Sequence, residues 1–157
     1  MIVDDTAFLS RQLEEAYIPY DVTTIGPYAF YGCTHLTKVR IPDKISIIYS
    51  GAFQNCVMLQ NIQLSDRSRL AIISNSAFKD CASITELNFP QSVAEIEDEA
   101  FSGCSNLESV TFKDGCIISS TSFKDCPKLT TIKMPFNATK ETTGASWGAP
   151  QATVIIT

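Results

Sequence analysis

At 157 residues and 17.2 kDa the chain has the length of one domain, and an apolar fraction of 45% is enough for a continuous core. A net charge of −5 and a sequence pI near 4.8 exclude the basic stripe that nucleic acid requires, and they give no support for docking on an anionic membrane. No apolar run reaches the ~18 residues of a membrane span.

The chain opens with MIVDDTAFLSRQLEE, which is acidic and has no long apolar stretch, so no secretory signal peptide is read there. The protein then stays inside, leaves by another route, or has lost a leader. This opening also holds a degenerate copy of a unit that recurs down the chain. Phe8, preceded by Ala7, stands 22 residues before Phe30, which follows Ala29. Leu13, Ala16, Ile18 and Pro19 match Leu36, Val39, Ile41 and Pro42 with one residue deleted, and Arg11 replaces a cysteine. A polar, irregular terminal copy is what a capping repeat requires.

Five regular copies follow, marked by Phe-x-x-Cys at Phe30/Cys33, Phe53/Cys56, Phe78/Cys81, Phe101/Cys104 and Phe123/Cys126. The Phe-to-Phe steps are 23, 25, 23 and 22 residues. The sixth residue after each Phe is Leu36, Leu59, Ile84, Leu107 or Leu129, and the ninth is Val39, Ile62, Leu87, Val110 or Ile132. The eleventh is Ile41, Leu64, Phe89, Phe112 or Met134, and five residues before each Phe stands Ile25, Ile48, Ile73, Ile96 or Ile118.

Alternating apolar positions such as Val39 and Ile41 predict a short strand with one buried face. A second short extended piece is expected over residues 22–25, 45–48 and 93–96. Around each Phe the apolar spacing is helical, since Ala29, Phe30 and Cys33 fall on one face of a turn. Ser50, Asn75, Asp98, Ser120 and Asp5 stand where an N-cap belongs, and Pro27 suits a first helical turn. One unit cannot bury its apolar side alone, but stacked units do, with strands ~4.8 Å apart.

The pattern IGPYAFYGCTHLTKVRIP and its four successors closely resembles the BspA-like family of leucine-rich repeats, over about residues 3–136. The resemblance implies a right-handed α/β solenoid with a parallel sheet on its concave side and short helices on the other. It divides residues 1–157 into a capping repeat at 1–24, five repeats at 25–136 and a C-terminal cap at 137–157. Family members are mostly bacterial or protist surface proteins that bind matrix proteins or other cells, and no repeat position is catalytic. The ending GASWGAPQATVIIT is similar to endings in gut Firmicutes and their phages. A cell-surface, secreted or virion location is what this resemblance implies.

The five repeat cysteines share one core position and are expected to form a ladder of buried free thiols, with Cys116 also in the core. His35, the only histidine, falls at a variable turn position and has no catalytic partner in the sequence. The acids Glu95, Glu97, Asp98 and Glu99 read as charges favouring a helix start over a calcium site. Asn137-Ala138-Thr139 is a glycosylation sequon, meaningful only in a eukaryotic secretory protein. Two extra residues around Asp66-Arg67-Ser68-Arg69 form a surface loop, and Trp147 is expected to cover the exposed end of the core.

The strand side chains that point outward remain for function. Lys38, Arg40, Gln60, Asn61, Gln63, Glu86, Asn88, Thr111 and Lys133 are the candidate binding residues on the concave face. No cofactor or metal is implied. The expected function is a non-catalytic, adhesin- or receptor-like module for another protein or a surface glycan. A structural module of a phage tail or surface appendage is the alternative. Oligomeric state is not read from the sequence.

Overall fold

The computed structural model describes residues 12–136 and 147–157, and the backbone of residues 2–3. Expectations for Asp5, Phe8, Arg11 and the sequon at Asn137 lie outside the described residues. The remainder is a parallel β-solenoid of about six turns with two strand-lined walls.

The front wall, read above as the concave side, carries β2 (Glu15–Tyr17), β4 (Lys38–Arg40), β6 (Asn61–Gln63), β8 (Glu86–Phe89), β10 (Ser109–Phe112), β12 (Thr131–Met134) and β13 (Thr153–Ile156). The back wall carries the two-residue strands β1 (Ile2–Val3), β3 (Thr24–Ile25), β5 (Ile47–Ile48), β7 (Ile72–Ile73), β9 (Glu95–Ile96) and β11 (Ile117–Ile118). The back wall is one continuous parallel sheet in that order. Register follows the repeat on both walls, pairing Ile25 with Ile48 and Val39 with Ile62.

Each strand is short because only two or three alternate apolar residues point inward before the chain turns. Leu36, Val39 and Ile41 are fully buried, as are Leu59, Ile84, Leu107 and Leu129. At the centre the Phe rings form a column. Phe30, Phe53 and Phe78 stack at 4.8 and 5.0 Å, within 4° of parallel, and Phe101 and Phe123 continue the column at 5.2 and 5.7 Å. Burying a ring of this size and stacking it on both sides makes the column the main apolar store of each rung.

The short helices expected around each Phe are not present among the described residues. The helical spacing names the correct inward residues, since Ala29, Phe30 and Cys33 are all buried. The backbone, however, is a run of tight turns. Residues two before the Phe (Tyr28, Gly51, Ser76, Glu99) and two after it (Gly32, Asn55, Asp80, Gly103, Asp125) have positive φ, which an α-helix forbids. The reason is space. A helix is ~10–12 Å across, whereas neighbouring rungs here lie at the 4.8–5.7 Å separation of the Phe rings.

Main-chain hydrogen bonding follows from that flat geometry. Alternate N–H groups close turns within the rung, as Cys33 does on the Phe30 carbonyl at 3.1 Å. The intervening ones reach the next rung: Tyr28 to Ser50 at 3.1 Å, Phe30 to Ala52 at 2.7 Å and Gly32 to Gln54 at 2.9 Å. Ser50, Asn75 and Asp98 therefore cap no helix, and Pro27 opens none. Without a helix, the acids at residues 95–99 do not mark a helix start. They join rungs: Glu97 accepts the Asn75 N–H at 3.0 Å, Asp98 accepts the Ser119 hydroxyl, and Glu99 pairs with Lys79 at 2.7 Å.

All six cysteines are free and buried. In the column, four of the five thiols also donate to the carbonyl of the preceding Phe: Cys56 to Phe30 at 3.1 Å, Cys81 to Phe53 at 3.1 Å, Cys104 to Phe78 at 3.4 Å and Cys126 to Phe101 at 3.2 Å. A small apolar residue would fill the same space without that bond.

Candidate functional site

Eight of the nine candidate residues lie on front-wall strands, in two rows set by strand register, and Gln60 immediately precedes β6. One row runs Glu15, Lys38, Asn61, then Glu86, Ser109, Thr131; the other runs Tyr17, Arg40, Gln63, then Asn88, Thr111, Lys133. Arg40, Gln60, Asn61, Gln63, Glu86, Asn88 and Lys133 are exposed, and Lys38 and Thr111 are half-buried. Glu15 and Lys38 approach to 3.9 Å, a surface pair that adds little stability.

Both rows break at the same place. The front wall is two sheets, β2-β4-β6 and β13-β12-β10-β8, and no pairing joins β6 to β8. Elsewhere a main-chain bond ties each rung to the next just before its strand: Thr37 N–H to Glu14, Gln60 to Thr37, Glu108 to Thr85 and Thr130 to Glu108. The Thr85 N–H and the Gln60 carbonyl do not continue that series. Because β5, β7 and β9 remain paired behind them, the opening is a wedge with its wide end at the front.

Two sequence features coincide with the break. The eleventh repeat position changes from Leu64 to Phe89 across the break. Phe89 lines the cleft and packs on the following rungs, 5.7 Å from Phe101 and 5.1 Å from Phe112. The two extra residues of the 25-residue step also sit at this rung. Their loop is anchored on both sides: Ser65 Oγ donates to Asp43 at 2.5 Å, and Lys113 pairs with Asp66 at 2.5 Å.

The wedge encloses a cleft of about 270 Å³. Gln60, Asn61, Gln63, Glu86 and Asn88 line it together with the apolar Ile62, Leu64 and Leu87, and its lining extends to the buried Phe78, Phe89 and Phe101. Ile62 and Leu64 are only half-buried there, while Val39, Val110 and Ile132 at the equivalent of Ile62 are fully buried. Glu86 is the single charged residue among those lining it. Apolar lining beside a cluster of amides can bind a group that offers both hydrogen-bonding atoms and an apolar face.

Reading outward-facing residues from the repeat does not predict this lining, because it assumes every ninth and eleventh residue is covered. The insertion after Leu64 is the signal that could have located it. A second feature missed in the sequence lies at the N-terminal end. Tyr17 and Tyr20 are exposed beside Arg40, Asp43 and Lys44 in a groove of about 220 Å³, with the Lys44 ammonium 5.3 Å from the Tyr20 ring centroid. His35 is exposed, away from the cleft lining. Among the described residues, no group of three or more His, Cys, Asp or Glu side chains is placed to hold a metal ion. No helix among them is long and apolar enough to cross a membrane.

The BspA type leucine-rich repeat region model matches residues 1–130 in six copies. The chain belongs to the BspA-type leucine-rich repeat family. Solved structures agree with this repeat. A leucine-rich repeat protein of T. pallidum superposes with a TM-score of 0.79 at 26% identity, over 99% of this chain and 72% of that one. A leucine-rich cell surface protein of Faecalibacterium prausnitzii gives 0.75 at 30% identity, over 85% of this chain and 35% of the other. The pneumococcal vaccine antigen PcpA gives 0.74 at 22% identity, over 93% and 36%, and shares the fold. This BspA-type chain thus spans little more than a third of the last two. Among curated protein sequences none matches it significantly.

Proposed function

We propose that this BspA-type repeat is a non-catalytic recognition module. It binds a polar protein or glycan surface through the front wall, in the manner of a surface adhesin or receptor. The observation that carries the reading is the cleft between β6 and β8, where apolar lining and convergent polar groups occur together. Gln60, Asn61, Gln63, Glu86 and Asn88 are its central contacts. Lys38, Arg40, Thr111 and Lys133 form the outer part of the same face. Central, partly enclosed residues dominate most interfaces, which places the larger share of binding energy at the cleft. The family and the surface protein of F. prausnitzii favour this over a purely structural role in a tail or appendage.

The test is a variant with alanine at Gln60, Asn61, Gln63, Glu86 and Asn88, assayed against partners recovered by pull-down and then purified. Stability should change by no more than about 0.5 kcal/mol per site, the usual range for exposed positions. Affinity should fall at least tenfold, or ~1.4 kcal/mol. Full binding by this variant, together with loss of binding in an Arg67/Arg69 double alanine, would move the site to the inserted loop and end the front-wall reading.

A further inference from the structure

The break in the front wall exposes more than side chains. β6 and β8 are both edge strands, parallel to one another and facing across the cleft. A strand edge presents a ladder of N–H and C=O groups in search of partners. Here two such edges line one opening, and the continuous back wall holds them in a common frame. Resting on the front-wall reading above, we propose that the cleft takes an extended polypeptide segment, which enters as an added strand between β6 and β8 and completes the sheet.

The chemistry selects this occupant. A main chain in extended form offers donors and acceptors on both of its edges, which a sugar ring does not do in a repeating ladder. Its side chains alternate between the two faces. Those pointing inward would meet Ile62, Leu64 and Leu87, so they should be apolar. Those pointing outward would lie among Gln60, Asn61, Gln63 and Asn88, so they should be polar. Glu86 is the only charge in the lining, so the segment should carry a lysine or arginine opposite it. The strands bordering the opening are three and four residues long, so three or four residues of the segment would be held by main-chain bonds.

The probe is an immobilised library of eight-residue peptides with alternating apolar and polar positions and one lysine, screened to 1 mM and followed by solution titration of the best binders. Hydrogen exchange should show that a bound peptide slows the Ile62 and Thr85 amides, which border the opening. Methylating peptide nitrogens in either phase of the alternation should weaken binding at least tenfold, because one phase donates to β6 and the other to β8. Glu86→Gln should weaken the lysine peptide about tenfold and leave its norleucine analogue unchanged. Absence of any binder at 1 mM, or binding indifferent to nitrogen methylation, would overturn the added-strand proposal. It would leave the front-wall reading intact if the five-alanine variant still loses its partner. A pyranose that slows the same amides where no peptide does would also overturn it.

Discussion

The carbonyl of Trp147 accepts the N–H of Phe123 at 2.8 Å. It is the same bond that Ala52, Ala77, Ala100 and Ser122 offer to the preceding Phe in each earlier rung. Trp147 thus takes the place of the small residue that would begin the next turn, and it is buried. β13 pairs with β12 in register, Thr131 with Thr153 through Met134 with Ile156. The C-terminal segment adds a further strand to the front wall beside β12. Deleting residues 147–157 should expose Phe123, Leu129 and Ile132 and the edge of β12, and the shortened protein should aggregate or fail to accumulate. A truncated protein that sediments as a monomer and melts with the parent would show that this segment is dispensable.

Phe78 stacks on Phe53 at 5.0 Å and on Phe101 at 5.2 Å. Phe78→Ala should cost about 3–5 kcal/mol, the range for emptying a buried aromatic site. Amides of the rungs on both sides should exchange faster, because each rung is a wall for its neighbours. A shift in melting of a degree or less would contradict the column.

Burial raises the thiol of Cys126 to about 11 and that of Cys116 to about 12, and it pushes Cys81 and Cys104 up as well. An unfolded thiol ionises near ~8.5. The folded values being the higher, stability is complete below about pH 8.5 and is lost as pH rises toward 11–12. Each such thiol should withdraw roughly 1.4 kcal/mol per pH unit in that window. The melting temperature should therefore drop steeply above pH 8.5, less so in a Cys116→Ala variant. Reaction of the native protein with a thiol reagent should be slow, and unfolding should release the thiols together. A flat profile to pH 10, or an intrachain disulfide among the column cysteines, would refute this account.

Length variation among the repeats falls between the eleventh position and the next Ile, outside the turns. Two residues inserted after Asp66 should leave the melting temperature within a few degrees. The same pair inserted after Gln54 should prevent folding, because Asn55 must hold positive φ and bond to Lys79. Equal tolerance at both places would mean that the turns are not fixed by their inter-rung bonds.

Strand positions are legible in the sequence because burial alternates with a period of two, and the register of Val39 with Ile62 follows from the Phe spacing alone. The helices are misread for a definite reason. Ala29, Phe30 and Cys33 have spacings common to a helical turn and to a pair of tight turns, and only rung separation distinguishes them. Positive φ at Tyr28, Ser76 and Glu99 gives no warning, since these residues are not the usual ones for it. The outward residues of the front wall are readable one strand at a time. The gap between β6 and β8 is not, because it depends on how two neighbouring rungs are placed relative to one another, which no single repeat encodes.

The inter-rung main-chain bonds of the turn column all run one way. Tyr28, Phe30 and Gly32 donate toward the C-terminal end, as do Gly51, Phe53 and Asn55, then Ser76, Phe78 and Asp80. Peptide dipoles aligned head to tail add, as they do along a helix axis. The column is therefore polarised like a helix although no residue in it is helical, with amide hydrogens toward the Trp147 end and carbonyl oxygens toward the first rung. Each further repeat would lengthen this dipole. An acid placed beyond the last turn, or a base before the first, would be held more tightly than its neighbours alone would explain, and two such columns set end to end would attract.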